Sequence, residues 1–366
     1  MQINILLPYK EKFDKNKASS VSITVKNNLI HTHYLKNIKI YGQIVDQPLF
    51  RENFVGVKYS PWSLKSKNVF LAEKMCELIK NNDDDKQIIE IHNRPYLIDK
   101  IFKKIKNCPI ILFLHNDPQE MKGSKSIAQR ENILLKCSAV LCVSNYVKDQ
   151  FLQGLSDHQE KVNVLYNGVE RNLKKIPNKR NEVLFVGRLV YEKGVDLYIK
   201  VVKSIAPHFP DWNFGLIGSF RLGDDQIHNS YVYKTIENFK NIGPQAKFYG
   251  FKDNNFVQNK MKSTSIIIIP SLWQEPFGLV AAEAMSNGIA IIASKVGGIP
   301  EIIKDNGILI ENINFKNLQR NLINLIDDNK MRENYQIKAW KNFNHSSNLS
   351  SKKLDNFRKI IFQNFY

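Results

Sequence analysis

Short apolar runs rich in Ile and Val recur along the whole chain, each ended by polar or glycine residues and most followed by a longer stretch of helical character. They are Ile3–Leu7, Ile88–Ile91, Ile110–Leu114, Val140–Val143 and Val162–Leu165, then Val183–Val186, Phe214–Ile217, Ala246–Tyr249, Ser265–Ile269, Ala290–Ala293 and Ile308–Ile310. Runs that are apolar on both faces and alternate with helices read as buried parallel strands of an α/β sheet. Periodicity alone does not separate such strands from those of a closed barrel. Two successive sets within 366 residues favour two doubly wound domains over one barrel.

The joint between the sets is legible. Asn167-Gly168 closes a strand, and residues 172–180 are polar and basic, as linkers tend to be. The expected domains are therefore 1–170 and 180–327. After Asp327 the strands stop, and residues 328–366 read as helices that pack back across the domains. They are broken around the polar Asn342–Ser351 stretch and end in apolar and aromatic residues from Phe357 to Tyr366. The patch Asn81–Asp85 reads as a solvated loop.

Composition narrows the class. A chain 43% hydrophobic and 24% charged is not a disordered one. No run approaches the ~18 apolar residues of a membrane span. The apolar start Ile3–Pro8 soon meets Lys10-Glu11-Lys12 and is shorter than the core of a secretory signal. The expectation is a soluble, cytoplasmic protein. Cys76, Cys108, Cys137 and Cys142 show neither a CxxC pair nor metal-ligand spacing, so they read as buried, reduced thiols. The net charge of +18 divides into +7 for residues 1–170 and +11 for the rest, so neither half monopolises it. Such an excess suits anionic partners, or is drift in a Lys-rich chain. A nucleic-acid binder would more often carry Arg stripes interleaved with aromatics, and none is apparent.

Two segments carry chemistry. Val183–Val186 runs into Gly187-Arg188-Leu189 and then Glu192-Lys193-Gly194. Arg188 and Lys193 thereby sit beside the carboxyl end of a parallel strand, where open α/β sheets bind ligands. A forked guanidinium and a compact ammonium suit a diphosphate, although a lone basic pair is more often merely solvated. The second segment leaves the strand Ser265–Ile269 through Pro270-Ser271 into Trp273-Gln274-Glu275-Pro276-Phe277-Gly278-Leu279. Pro276 keeps Glu275 out of a helix. A helix opens at Phe277-Gly278-Leu279 and is closed by Asn287-Gly288; its first amides and dipole make an anion site. Glu283, one turn beyond Leu279, is placed to accept bonds from two vicinal hydroxyls. Taken singly, either glutamate would be an ordinary loop or helix charge.

Together with Gly297-Gly298-Ile299-Pro300-Glu301, these stretches resemble the retaining nucleotide-sugar glycosyltransferases of family 4 (group 1). The resemblance is dense over residues 183–310. Echoes precede it at His92, Leu114-His115-Asn116-Asp117, Val143-Ser144-Asn145 and Asn167-Gly168-Val169. It implies the GT-B fold, two Rossmann-like domains facing a central cleft, and transfer of a hexose-type sugar from a nucleoside-diphosphate sugar to a glycan or lipid-linked acceptor of the cell envelope. It implies that Arg188, Lys193 and the amides of Phe277, Gly278 and Leu279 hold the diphosphate. Glu275 lies against the donor sugar as a catalytic group with His115, and Glu283 binds the ribose. Gly218, Ser219, Tyr249 and Gly250 border the nucleotide. No resident cofactor and no metal are implied.

One departure is clear. The family usually has a glycine-rich loop after its first strand, whereas Pro8-Tyr9-Lys10 here leads to Lys17-Ala18-Ser19-Ser20 with no glycine. Ser19 and Ser20 are small but lack glycine's freedom at positive φ, so the departure bears on acceptor recognition. The rival readings are a non-transferase GT-B enzyme such as a nucleotide-sugar epimerase, a degenerate transferase that binds donor without turnover, and a basic nucleic-acid-binding protein. The favoured reading has no nucleic-acid partner and adds peripheral contact with an anionic membrane at its cytoplasmic face.

Overall fold

In the computed structural model, residues 1–80, 86–220 and 230–366 are described; the Asn81–Asp85 loop of the sequence reading lies outside them. The chain divides into one unit of Met1–Gly168 with Ser347–Tyr366 and a second of Val169–Ser346.

The first unit is built on seven strands: β1 (Gln2–Leu6), β2 (Ile38–Gln43), β3 (Phe54–Val57), β4 (Gln87–His92), β5 (Ile110–Leu114), β6 (Ala139–Cys142) and β7 (Val162–Val164). Their order is β3-β2-β1-β4-β5-β6-β7, and every pairing is parallel. The order reverses between β1 and β4, so the crevice outside their carboxyl ends is where a doubly wound sheet receives ligands. The loops after β1 and β4 border that point. Five of these strands coincide with apolar runs in the sequence. β2 and β3 were not anticipated. Lys39 interrupts the first, and the second is a half-buried edge strand with the exposed Gly56, so neither reads as a continuous apolar run.

Both faces of this sheet are covered. Ile3, Ile5, Leu7, Ile38 and Ile40 pack with Val21, Val25 and Leu29 of the Ser20–Ile30 helix. Ile88, Ile111, Phe113 and Leu141 pack with Leu354 and Ile361 of the Ser347–Phe365 helix. That helix also closes a buried polar cluster. Arg358 donates from Nε and Nη2 to the two carboxylate oxygens of Glu90 at 2.7 and 2.9 Å, and from Nη1 to Asp355 at 3.1 Å. Asp355 further accepts from the Thr32 hydroxyl and the His33 amide at 2.7 and 2.8 Å. Burial alone would lower the Arg358 pKa, but Glu90 and Asp355 outweigh it and raise it.

The second unit has six strands: β8 (Arg180–Val186), β9 (Asn213–Ile217), β10 (Ala246–Gly250), β11 (Thr264–Ile269), β12 (Ala290–Ser294) and β13 (Ile308–Ile310). Their order is β10-β9-β8-β11-β12-β13, again all parallel. The reversal falls between β8 and β11. The Val195–Ile205 and Phe315–Asp327 helices bury Val195, Tyr198, Val202, Leu318 and Leu322 against the sheet, and the Asn329–Lys341 helix belongs to this unit. Thus the helices after Asp327 part company, one to each unit.

Cys76, Cys108, Cys137 and Cys142 are all buried and none forms a disulfide. Burial raises their thiols, to about 11 for Cys76 and about 12 for Cys108 and Cys137. Among the described residues no helix is long and apolar enough to cross a membrane.

Candidate active site

The two segments singled out in the second unit leave the carboxyl ends of β8 and β11, the neighbours at which strand order reverses. The third, Gly297–Glu301, follows β12 and opens the Ile299–Ile303 helix. Main-chain contacts lock the three together. Leu272 N–H donates to the Glu192 carbonyl at 2.8 Å, and Gly298 N–H to the Glu275 carbonyl at 2.7 Å. The Gln274 side chain accepts from Gly297 N–H at 2.6 Å. Two glycines are required by the closeness of this packing. Gly194 has φ +69°, and a Cβ there would stand 1.9 Å from the Pro270 carbonyl oxygen. Gly297 has φ +54°, and a Cβ there would stand 2.1 Å from the Glu275 carbonyl oxygen. An L side chain at either place meets both strain and overlap.

This frame presents four groups. Glu275 is 8% exposed, and its carboxylate accepts from the Ser271 hydroxyl at 2.6 Å and is ion-paired with Lys193. The Lys193 ammonium also lies 5.2 Å from the centre of the Trp273 ring, within cation–π range. Arg188, beyond β8, is exposed. The Leu279–Ser286 helix is capped by Gly278 at φ 92°. Ala281 N–H donates back to the Gly278 carbonyl at 3.0 Å, and the amides of Leu279 and Val280 ahead of it are ones that an α-helix leaves without an intrahelical partner. Phe277 can contribute only its main chain, because its ring is buried edge-on to His345 at 6.0 Å between centroids.

Glu283 is largely buried, 7% exposed. Burial pushes its carboxyl up to about 7, opposed by a hydrogen bond from Gln258. Gln258 accepts in turn from Asn287 at 3.1 Å. Lys179 anchors the back of this arrangement by donating to the carbonyls of Lys262 and Asn287 at 3.1 and 2.7 Å, which ties the ends of two helices together. A carboxyl near 7 in the fold but near 4.5 when unfolded holds more protons in the folded state between those values, so its contribution to stability falls as pH rises through that window. Glu283→Gln is therefore expected to gain thermal stability relative to wild type as pH goes from 5 to 8. Parallel melting curves across that range would show this, and a constant difference would contradict it.

Gly218 and Ser219 follow β9. Gly218 N–H donates to the Gly250 carbonyl and Leu189 N–H to the Ser219 carbonyl, both at 3.0 Å, so this border is laced to the Arg188 loop. The half-buried Tyr249 ring packs on Phe256 at 5.6 Å, with the Lys260 ammonium 4.8 Å from its centre.

In the first unit, His115 follows β5 and His92 ends β4. Their rings stack at 5.1 Å, with His92 Nδ1 and His115 Nε2 2.8 Å apart, and Phe113 continues the stack beneath His92 at 4.4 Å. The Asn93 side chain accepts from the His115 amide at 2.8 Å. Burial pushes His115 down to about 4 and His92 well below its ordinary value, with His115 and Arg358 adding to the effect on His92. Both rings are neutral at pH 7 and share one hydrogen bond, so His92 sets which His115 nitrogen is left for other partners. Ser19 is buried and occupied: it caps the Ser20–Ile30 helix by accepting from Ser22 N–H, and it bonds Glu11. Ser20 is exposed at the first turn.

Sequence reasoning did not single out Ser271, Gln274, Gln258 or Lys179. A serine leaving a strand just ahead of Glu275 was the one local signal for the first of these.

Two family models match: "Glycosyltransferase Family 4" over residues 38–173 and "Glycosyl transferases group 1" over 169–342. An uncharacterised glycosyltransferase of Methanocaldococcus jannaschii is 34% identical over 242 residues, 64% of this chain and 64% of that protein, so the match spans just under two thirds of the relative. Spore coat protein SA of Bacillus subtilis is 27% identical over 286 residues, covering 70% of this chain and 73% of its own. In structure, the chain is similar to Anabaena HepE in complex with UDP and glucose, with TM-score 0.76, 19% identity and coverage of 98% and 99%. Two all-parallel doubly wound sheets, these matched models and the motif residues at the carboxyl ends of β8, β11 and β12 agree: the chain belongs to the group 1, family 4 glycosyltransferases and has their GT-B fold.

Proposed function

We propose that the protein moves a hexose-type sugar from a nucleoside-diphosphate sugar to a glycan or lipid-linked acceptor, with retention at the anomeric carbon. The observation that carries this reading is the convergence of Arg188, the Lys193–Glu275 pair and the Leu279–Ser286 helix start on one frame at the reversal of strand order. As the sugar–phosphate bond breaks, negative charge grows on the diphosphate. Arg188, Lys193 and the amides of Phe277, Gly278 and Leu279 would meet that charge where it develops. In this reading protein groups supply the positive charge and no metal ion takes part.

Lys193 already holds Glu275, so one ammonium can bridge the carboxylate and the diphosphate. Glu275 is thereby oriented beside the donor sugar, where it stabilises positive charge at the anomeric carbon while the acceptor hydroxyl attacks from the face the diphosphate leaves. Glu283 would accept from the ribose hydroxyls, and the main chain at Gly218, Ser219, Tyr249 and Gly250 would border the base. For the first unit we propose that His115 meets the sugar, and that Ser20, rather than the occupied Ser19, faces the acceptor. The HepE complex with UDP supports a uridine donor, and the spore coat relative fits a surface glycan as product. A cytoplasmic enzyme peripheral on the inner membrane face accords with a lipid-linked acceptor and the +18 charge.

The test is incubation with a panel of nucleoside-diphosphate sugars, scoring slow hydrolysis without acceptor. Hydrolysis of one donor is expected, and neither binding nor hydrolysis of any would overturn the reading. Arg188→Ala should weaken diphosphate binding by ~1.5–3 kcal/mol, as loss of a charge-assisted hydrogen bond does. Titration calorimetry should show little change for the bare nucleoside, and equal losses for both ligands would remove Arg188 from the phosphate site.

A further inference from the structure

Trp62 and Leu64 are 92% and 105% exposed, the most exposed of the large apolar side chains among the described residues. Lone exposed hydrophobics are common on soluble proteins, and a loose loop would explain them. This loop is braced. The Tyr59 hydroxyl lies 2.9 and 2.8 Å from the carbonyl oxygens of Ser63 and Lys65, Ser63 N–H donates to the Ser60 carbonyl at 3.0 Å, and Lys65 N–H to the Ser63 hydroxyl at 3.2 Å. The Tyr59 ring is wedged edge-on against Phe70 at 5.3 Å and Tyr9 at 6.2 Å. An indole and an isobutyl group thus stand out in water from a turn braced by its own hydrogen bonds.

The surroundings are basic. Lys58, Lys65 and Lys67 flank the two side chains and are exposed, and the Lys67 ammonium sits 5.7 Å from the centres of both the Tyr9 and Tyr59 rings. Tyr9 leads directly into the exposed Lys10 and Lys12, and its amide donates to Asn68 at 2.7 Å, which ties that segment to the far end of the loop. The nearby acids are engaged: Glu73 pairs with Lys65 and Lys104, and Glu11 bonds Ser19. The loop follows β3 in an all-parallel sheet, so it lies on the same edge as the loops after β1 and β5, those of Ser20 and His115.

The geometry points to an anchor for an anionic lipid bilayer: Trp62 and Leu64 enter the interfacial layer while Lys58 and Lys67, with Lys10 and Lys12 behind them, meet the headgroups. Tryptophan favours that layer because its apolar ring and N–H suit its two sides, and cations of one sign around an apolar tip suit a smooth anionic surface. A protein partner would call for a pocket or mixed charges, whereas these side chains stand proud among lysines. The inference deepens the reading of a membrane-face acceptor by naming the element that makes contact.

The measurement is co-sedimentation of the full chain with phosphatidylcholine vesicles, with and without phosphatidylglycerol, across a salt series and without any donor. Wild type should bind the anionic vesicles, less so as salt rises. The double variant Trp62→Ser, Leu64→Ser should lose about tenfold or more of that binding, the effect of leaving a large apolar side chain in water. Lys58→Gln should lose about fivefold, from ~1 kcal/mol per cation near such a surface. Far-ultraviolet circular dichroism and melting curves should match wild type in all of them, which shows that they fold. Binding of wild type to neither vesicle, or equal binding by the double variant, would overturn the anchor. Self-association of wild type that the double variant abolishes, with no vesicle binding, would assign the loop to a protein interface instead. Because no donor is present, each result is independent of whether the transferase reading holds.

Discussion

Glu275→Gln is expected to lower turnover by at least ~100-fold, about 2.7 kcal/mol in the barrier, while nucleoside diphosphate binds as well as in wild type or somewhat better. The amide keeps the size of the carboxylate and can still accept from Ser271, so the loop between β11 and the Leu279–Ser286 helix keeps its path. What goes is the negative charge. The anomeric carbon loses the anion that would stabilise it, and Lys193 loses its ion-pair partner. A freed ammonium is a better ligand for the diphosphate, which is why ground-state affinity and rate should move apart. A steady-state assay paired with calorimetry on the diphosphate decides the matter. Near-wild-type turnover would take Glu275 out of the mechanism, and a parallel loss of affinity and rate would make it a structural residue of the loop.

The other large effect is in the first unit. Glu90 and Arg358 are each 1% exposed and doubly bonded to one another. A buried pair can contribute little net stability, because both ions have lost their hydration; removing one partner is different, since the other charge is stranded, at a cost of ~3–5 kcal/mol. Arg358→Leu strands Glu90, and it also takes from Asp355 the cation that its carboxylate faces. Urea unfolding followed by circular dichroism should show a transition for the first unit displaced by that amount, while the second unit changes little. Because the protein has two units, the curve is fitted as two transitions rather than one. The paired variant Glu90→Leu, Arg358→Leu should recover much of the loss. A single variant within about 1 kcal/mol of wild type would mean that Glu90 finds another partner, contrary to the cost of an unpaired buried carboxylate.

Glu90 also shows where sequence reasoning stops. Local pattern identified β4 as a strand because Ile88, Ile89 and Ile91 outweigh one carboxylate, but nothing within reach along the chain says what that carboxylate meets. Its partner is 268 residues away. The same limit explains Lys193 and Glu275, each singled out by motif yet not as a pair, since they come from turns after different strands, 82 residues apart. It explains Ser19 as well: a small residue in a loop looks available until the helix it caps is seen. What was legible was local: the buried strands, the turn after β8, the proline that keeps Glu275 out of a helix, and the glycine at the helix opening. Strands β2 and β3 escaped for a local reason too, being short and polar enough at the sheet margin to lack a continuous apolar run.

The path of the backbone bears on how the protein comes into being. The first unit takes residues 1–168 and then 347–366, with the whole second unit made in between. At ~5–20 residues per second, that interval is on the order of 10–40 s of synthesis. Throughout it, the nascent first sheet has Ile88, Ile111 and Leu141 bare on the face that Leu354 and Ile361 will cover, and Glu90 without its guanidinium. The part translated first is therefore the part matured last, and a ribosome stalled after the second unit would hold out a complete six-stranded sheet beside a seven-stranded one with an open apolar face, the kind of surface that chaperones bind.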